Sequence, residues 1–300
     1  MNRESLLQAV KDYTLISDTE METLVYANLD NVQDNHICNN VYGYDFTWLK
    51  KYYEINTIPI YKTGTISVDQ DSTTVTGVLT VFTAAMVGRV IKFEDDLEYY
   101  LISAYTSPTE ITLKTAYIGT TISGGTYTIY TVNYSLPSDF KRMEYVKQTN
   151  VQNSIPKMND RQFSTLYPDE FLYSGDILGY IESNMDTSSN RQIRFYPVQT
   201  TRKRIYLGYI QKLPTINTAG ATSLIPSKYH MLFVFKLSEM VFRMNDMESK
   251  AQAAKVDFED LLYKAVAEDR NAFSDEKDIM SDEIIYKSTN THKVNLPINV

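Results

Sequence analysis

Between residues 3 and 42 the apolar positions recur at helical spacing. Leu6, Leu7, Val10 and Leu15 make a short stripe, and Met21, Leu24, Val25, Leu29, Val32 and His36 make a longer one. Ser17 followed by Glu20 has the spacing of a capping box, which places the start of the second helix there. Gly43 closes the element, and Trp48-Leu49 is expected in the core. From Lys62 to Thr131 the period changes to two. Ile66 and Val68, Val75 and Gly77, Tyr100 and Ile102, Ile111 and Leu113, and Tyr127 and Ile129 alternate with polar residues. Turn residues at Asp69 to Ser72, Glu94 to Asp96, Ser107-Pro108 and Ser123 to Gly125 separate these runs. Short strands at this spacing predict a small β-barrel or sandwich over 62–132.

Pro137 breaks the chain after this module. Two further strands are predicted at RQIRFYPV (191–198) and RIYLGYI (204–210), joined as a hairpin by the polar stretch 199–203. After Pro226 comes a helix that is apolar on most sides: Met231 to Phe235, Leu237, Met240, Val241 and Phe242. Such a helix must be enclosed by its own chain or a neighbour. A second helix is predicted from Asn245, with Glu248 completing a capping box and a narrow stripe of Met247, Ala251, Ala254, Phe258, Leu261, Ala265 and Ala272. From Ser274 the pattern dissolves. Ile284, Ile285, Tyr286, Val294, Leu296 and Ile298 have no core of their own, and two readings stay open: a disordered terminus, or chain that orders by strand addition to another protein. The expected fold is α+β, with a helical bundle formed by the N- and C-terminal helices, a central β hairpin region and an inserted small β-barrel or sandwich. The expected division is a core of helices and β hairpin region at 1–61 and 133–273, the module 62–132, and an extended tail at 274–300.

Composition narrows the function. The 300 residues are 43% hydrophobic and 22% charged, enough to bury a core. Tyrosine outnumbers phenylalanine, 24 to 12, which suits half-buried strand positions or subunit contacts. The net charge of −8, without a polybasic run, disfavours gripping of nucleic acid. Cys38 is the single cysteine, so no disulfide can form within the chain. The start has no apolar segment of a signal peptide, and no run reaches the length of a membrane span.

Catalytic chemistry is not visible. His36, His230 and His292 lie in different regions, and His36 and Cys38 face apart on a helix, so no metal site is expected. There is no phosphate loop, and Gly124-Gly125 lies between strands. Glu94, Asp95 and Asp96, or Asp169-Glu170, could in principle serve glycan hydrolysis, but the triplet sits where a turn is expected. Arg191, Arg194, Arg202, Lys203 and Arg204 read as a solvated hairpin tip. No catalytic residue, cofactor or metal is expected.

Four stretches carry a resemblance. They are FTWLKKYYEINT after the first helices; YSLPSDFKRMEYV, with Tyr134, Leu136, Pro137, Asp139 and Phe140; IRFYPVQTTRKRIYLGYIQKLP, with Tyr196-Pro197 and Tyr209; and SLIPSKYHMLFVFKLSEMVFRMND, leading into a further helix. In this order they resemble the head-to-tail connector adaptors of tailed bacteriophages, the tail tubular protein A or head-completion adaptor-like proteins. Compact adaptors lack the 62–132 module, which looks like barrel insertions of larger connector proteins. The resemblance implies a non-enzymatic virion protein at the head-tail interface: a ring of twelve copies that contacts the portal and the next tail or nozzle protein. DNA passes through such a ring without specific binding, and no membrane is involved. Helices then line or brace the channel, and the C-terminal tail clasps the portal. That makes Ile284, Ile285, Tyr286, Val294, Leu296 and Ile298 the candidate portal-binding residues. Another virion part, such as a tail hub or fibre-docking ring, is the alternative.

Overall fold

The structure is a computed structural model. It describes the backbone at 1–39, 43–94, 96–151, 153–159, 161, 165, 171 and 175–290, and the side chains there except Asn184 and 272–290. The chain forms two compact units, Met1–Lys50 with the chain from Lys212 onward, and Lys51–Gln211. The residues 133–211 therefore belong with the β-rich unit.

In the helical unit, α1 (Arg3–Thr14) is capped by the Asn2 side chain, which accepts from the Ser5 N–H at 2.9 Å. The helix stops at Leu15, whose backbone is left-handed (φ 58°) and whose side chain is 89% exposed, so the expected stripe ends one turn early. α2 (Thr19–Asn31) is capped by Asp18 in place of Ser17, its carboxylate accepting from the Met21 N–H at 2.7 Å. One π-turn, Val32–Ile37, follows. Its extra residue shifts the register by one, so Ile37 is enclosed and His36 is only half-buried.

The apolar helix is α3 (Met231–Met244), and α1, α2 and α4 (Glu248–Asn290) all pack on it. Packing against three helices explains most of its composition, with Phe235 and Met240 half-buried and Met231 and Met244 exposed at its ends. It also buries Glu239, which ion-pairs with Lys236 at 2.8 Å and Arg243 at 3.1 Å. Asn245 is not the start of α4. Its side chain caps α3 by donating to the Val241 carbonyl at 3.0 Å, and Asp246 adopts a left-handed turn (φ 55°). α4 buries Ala251, Ala254, Phe258, Leu262, Ala265 and Val266, so Leu262 takes the place expected for Leu261. Residues 274–290, expected as extended tail, continue α4 as helix.

The β-rich unit corrects the expected fold class. The molecule is mostly sheet, with three sheets and four helices among the described residues, and the terminal helices do not form a bundle that serves as the core. The reason lies in the stripes. α1, α2 and α4 each bury one face, whereas the strands supply two large clusters of enclosed side chains.

The seven-stranded sheet contains β2 (Thr65–Val68), β3 (Thr74–Val78), β4 (Val90–Phe93), β5 (Tyr99–Ser107), β6 (Glu110–Leu113), β7 (Ile122–Gly125) and β8 (Tyr127–Tyr130), in the order β7-β2-β3-β6-β5-β4-β8. Its two edge strands follow one another through Thr126. The sheet curls into a half-barrel around Ile66, Val75, Phe82, Ile91, Phe93 and Ile111.

The remaining strands are β1 (Lys50–Asn56), β9 (Asn133–Ser135), β10 (Phe140–Gln148), β11 (Gly179–Met185), β12 (Arg191–Tyr196) and β13 (Arg204–Gln211). They form two sheets, β1-β13-β10 and β11-β12-β9, which share one core. The expected hairpin of 191–198 with 204–210 is absent. β12 pairs with β11 and β9, while β13 pairs with β10. Both strands face that shared core, through Ile193 and Phe195 on one and Ile205 and Leu207 on the other, so the link at 197–203 crosses between layers rather than turning within one.

Candidate assembly surface

The residues behind the resemblance converge. The Tyr134 ring lies 5.6 Å from that of Phe195, and its hydroxyl accepts from the Ile58 N–H at 3.3 Å. The Phe140 and Tyr209 rings are 5.8 Å apart, and the Tyr209 hydroxyl donates to Asp139 at 2.9 Å. Lys51 reaches the other Asp139 oxygen at 2.7 Å. Burial would raise the Asp139 pKa, but the hydrogen bonds from Lys51 and Tyr209 outweigh it and hold the carboxyl below its usual range. Burial first, and Asp139 second, push the Tyr209 phenol up. Leu136 is enclosed in the same core, and Tyr196-Pro197 is a cis peptide at the end of β12. Three stretches far apart in sequence thus meet in one place.

In the helical unit, Trp48 stacks on Phe46 with centroids 4.0 Å apart and approaches Tyr229 at 5.6 Å. The Tyr229 hydroxyl donates to Glu268 at 2.7 Å. Asp269 accepts from the Tyr44 hydroxyl at 2.8 Å and from the Thr47 N–H and hydroxyl at 2.8 and 2.7 Å, pinning α4 to the chain after the π-turn.

The titratable groups serve the fold. His230 is buried; its Nε2 lies 2.9 Å from the Ile225 carbonyl, and the Met1 amino group lies 3.1 Å from Nδ1. Burial and that amino group lower its pKa. Burial and Lys236 lower the His36 pKa, with Glu239 opposing them. His292 lies outside the described residues, and no group of three metal-ligating side chains occurs among the described ones. Asp96 accepts from the Glu98 N–H at 3.1 Å and the Tyr100 hydroxyl at 3.0 Å and so closes a turn, while Glu94 accepts from Thr126 in the link between β7 and β8. Asp95, Asp169 and Glu170 lie outside the described residues. The basic residues do not gather as one hairpin tip: Arg191 pairs with Glu182 at 3.1 Å, Lys203 with Asp176 at 3.1 Å and Arg204 with Glu54 at 3.0 Å.

Two exposed surfaces were not legible in the sequence. One is the loop Val78–Gly88, which carries no charge. Leu79 there is 84% exposed in a left-handed backbone (φ 56°), and Val78, Val81 and Val87 are exposed beside it, while Phe82 and Met86 anchor the loop in the half-barrel. The other is β1, where only Ile55 is enclosed in the run Lys50–Asn56. Tyr52 is 77% exposed and hydrogen-bonds Tyr145 across Gly208, where a Cβ would meet the Tyr145 ring at 2.3 Å. Tyr206 is exposed as well.

The candidate portal contacts divide. Ile284, Ile285 and Tyr286 lie on α4, with side chains outside the described ones, and Val294, Leu296 and Ile298 lie outside the described residues altogether. Comparison with known proteins finds no matching family model and no match among curated proteins.

Proposed function

We infer that this protein is a non-enzymatic structural subunit of a tailed-phage virion, an adaptor ring between portal and tail. By the resemblance the ring has twelve copies, docks on the portal, receives the next tail or nozzle protein and lets DNA pass. The observation that carries the reading is the convergence of Tyr134, Leu136, Asp139, Phe140 and Tyr209 on the shared core of the two three-stranded sheets. Scattered matches to a degenerate pattern have no reason to meet in space, whereas residues that specify one framework do. The acidic balance of the chain suits a conduit that repels DNA. No described helix is long and apolar enough to cross a membrane.

The test mixes the full chain with purified portal rings and repeats the mixture after deleting residues 281–300. The full chain is expected to co-sediment with the portal. The truncated chain is expected to keep its thermal unfolding midpoint, to lose only the helical signal of residues 281–290, and to lose binding. Undiminished binding by the truncated chain would remove 284–298 as the contact, and no binding by the full chain would remove the portal reading.

A further inference from the structure

β1 is an edge strand whose free side carries a pairing code. The Thr57 N–H donates to the Lys203 carbonyl at 2.8 Å, so Thr57 stands opposite Lys203. Continuing that antiparallel register backwards sets Ile55 opposite Ile205, Tyr53 opposite Leu207 and Lys51 opposite Tyr209, each with its backbone groups turned inward to β13. Two observations agree with it: Ile55 is the enclosed residue of β1, and Tyr52 meets Tyr145 over Gly208, its own opposite in this register. The N–H and carbonyl groups of Tyr52, Glu54 and Asn56 therefore point away from β13, and no strand among the described residues pairs with that side.

The other edge of the sheet is guarded. β10 has two register shifts, and the Ile155 N–H donates to the Val146 carbonyl, covering part of it. On β1 no bridge or backbone hydrogen bond from outside the sheet covers Tyr52, Glu54 or Asn56 among the described residues.

We propose that β1 is a two-fold pairing site for a second copy of this chain. In an antiparallel pairing about a two-fold axis, outward-facing residues must oppose outward-facing residues. Centring the axis on Tyr52 meets that rule and sets the Lys50 side chain and carbonyl against Glu54 of the partner twice, on one face of the sheet, while the Lys50 N–H stays on the Thr47 carbonyl and Glu54 also holds Arg204 of its own chain. It also extends the Tyr145–Tyr52 contact into a row of four tyrosines across the joint. Opposite charges and aromatic rings directly across strands stabilise such a pair. The joined sheet has six strands, in the order β10-β13-β1 and its two-fold image. A two-fold contact pairs subunits and cannot by itself close a ring, so this inference does not depend on the adaptor reading.

The register is tested with the full chain carrying Tyr52→Cys. At the axis the two Cα atoms stand about 5.5 Å apart, within disulfide reach. The natural Cys38 is buried. Mild oxidation is expected to give a reducible dimer with Tyr52→Cys and none with Tyr53→Cys, which the same register sets opposite Lys51. Sedimentation of the otherwise natural chain is expected to show a monomer–dimer equilibrium. Glu54→Lys should raise its dissociation constant at least tenfold, and adding Lys50→Glu should recover most of that loss. A natural chain that stays monomeric at every concentration would overturn the proposal. So would equal cross-linking of the two cysteine variants, or a dimer indifferent to Glu54→Lys.

Discussion

Asp139 holds more of the β-rich unit than its position just before β10 suggests. One oxygen takes the Tyr209 hydroxyl and the other takes Lys51, tying the start of β10 to both other strands of its sheet. Asp139→Asn is expected to cost about 1–3 kcal/mol in urea unfolding at neutral pH, the range for leaving a partly enclosed partner unsatisfied. Because the fold holds this carboxyl below its ordinary value of 3.8, unfolding takes up a proton. Its contribution is complete above that value and is lost as pH falls below it, and the Asn variant should lack this part of the acid transition. His230 works at higher pH with the same sign. Its folded pKa lies below the ordinary 6.5, so its contribution is full above 6.5 and declines as pH falls through it. Thermal melts of the natural chain and His230→Gln should differ in slope between pH 7.5 and 5.5, the natural chain losing more on acidification.

At the level of elements, the existence of the helices and strands was legible, and the errors came where one residue changed the phase. A run of apolar residues at steps of three and four places His36 on the enclosed face only if the helix stays α throughout. The π-turn at Val32–Ile37 inserts the residue that puts Ile37 there instead. Ile37→Ala is expected to cost about 2–5 kcal/mol, and His36→Ala about 1 kcal/mol or less; denaturant midpoints of the two variants decide between the registers. Partnership of strands was less legible than their presence. Period-two alternation shows which side of β12 and β13 is apolar, but two layers facing one core give the same pattern as neighbours in one sheet. The short link from 197 to 203 therefore read as a hairpin turn. The open edge of β1 was hidden for a related reason: Lys-Lys-Tyr-Tyr-Glu has no apolar alternation to reveal a strand, and all five residues are exposed.

For the whole molecule, the balance between helix and sheet could not be taken from element counts. The expected bundle rested on an apolar α3, and that helix is enclosed, but by three helices with narrow stripes, while the larger share of the enclosed side chains sits on strands. The function proposed at this scale is assembly, and the described acids and histidines serve turns, caps and ion pairs. The candidate portal contacts were readable only as apolar residues lacking a core. Their side chains lie outside the described ones, so the adaptor reading stands on the framework around Asp139. The most direct measurement is the native mass of particles formed when the chain is mixed with isolated portal rings. The account expects one new species of the portal mass plus twelve subunits, absent when residues 281–300 are deleted. Portal rings and free chain that keep their separate masses at all ratios would contradict it.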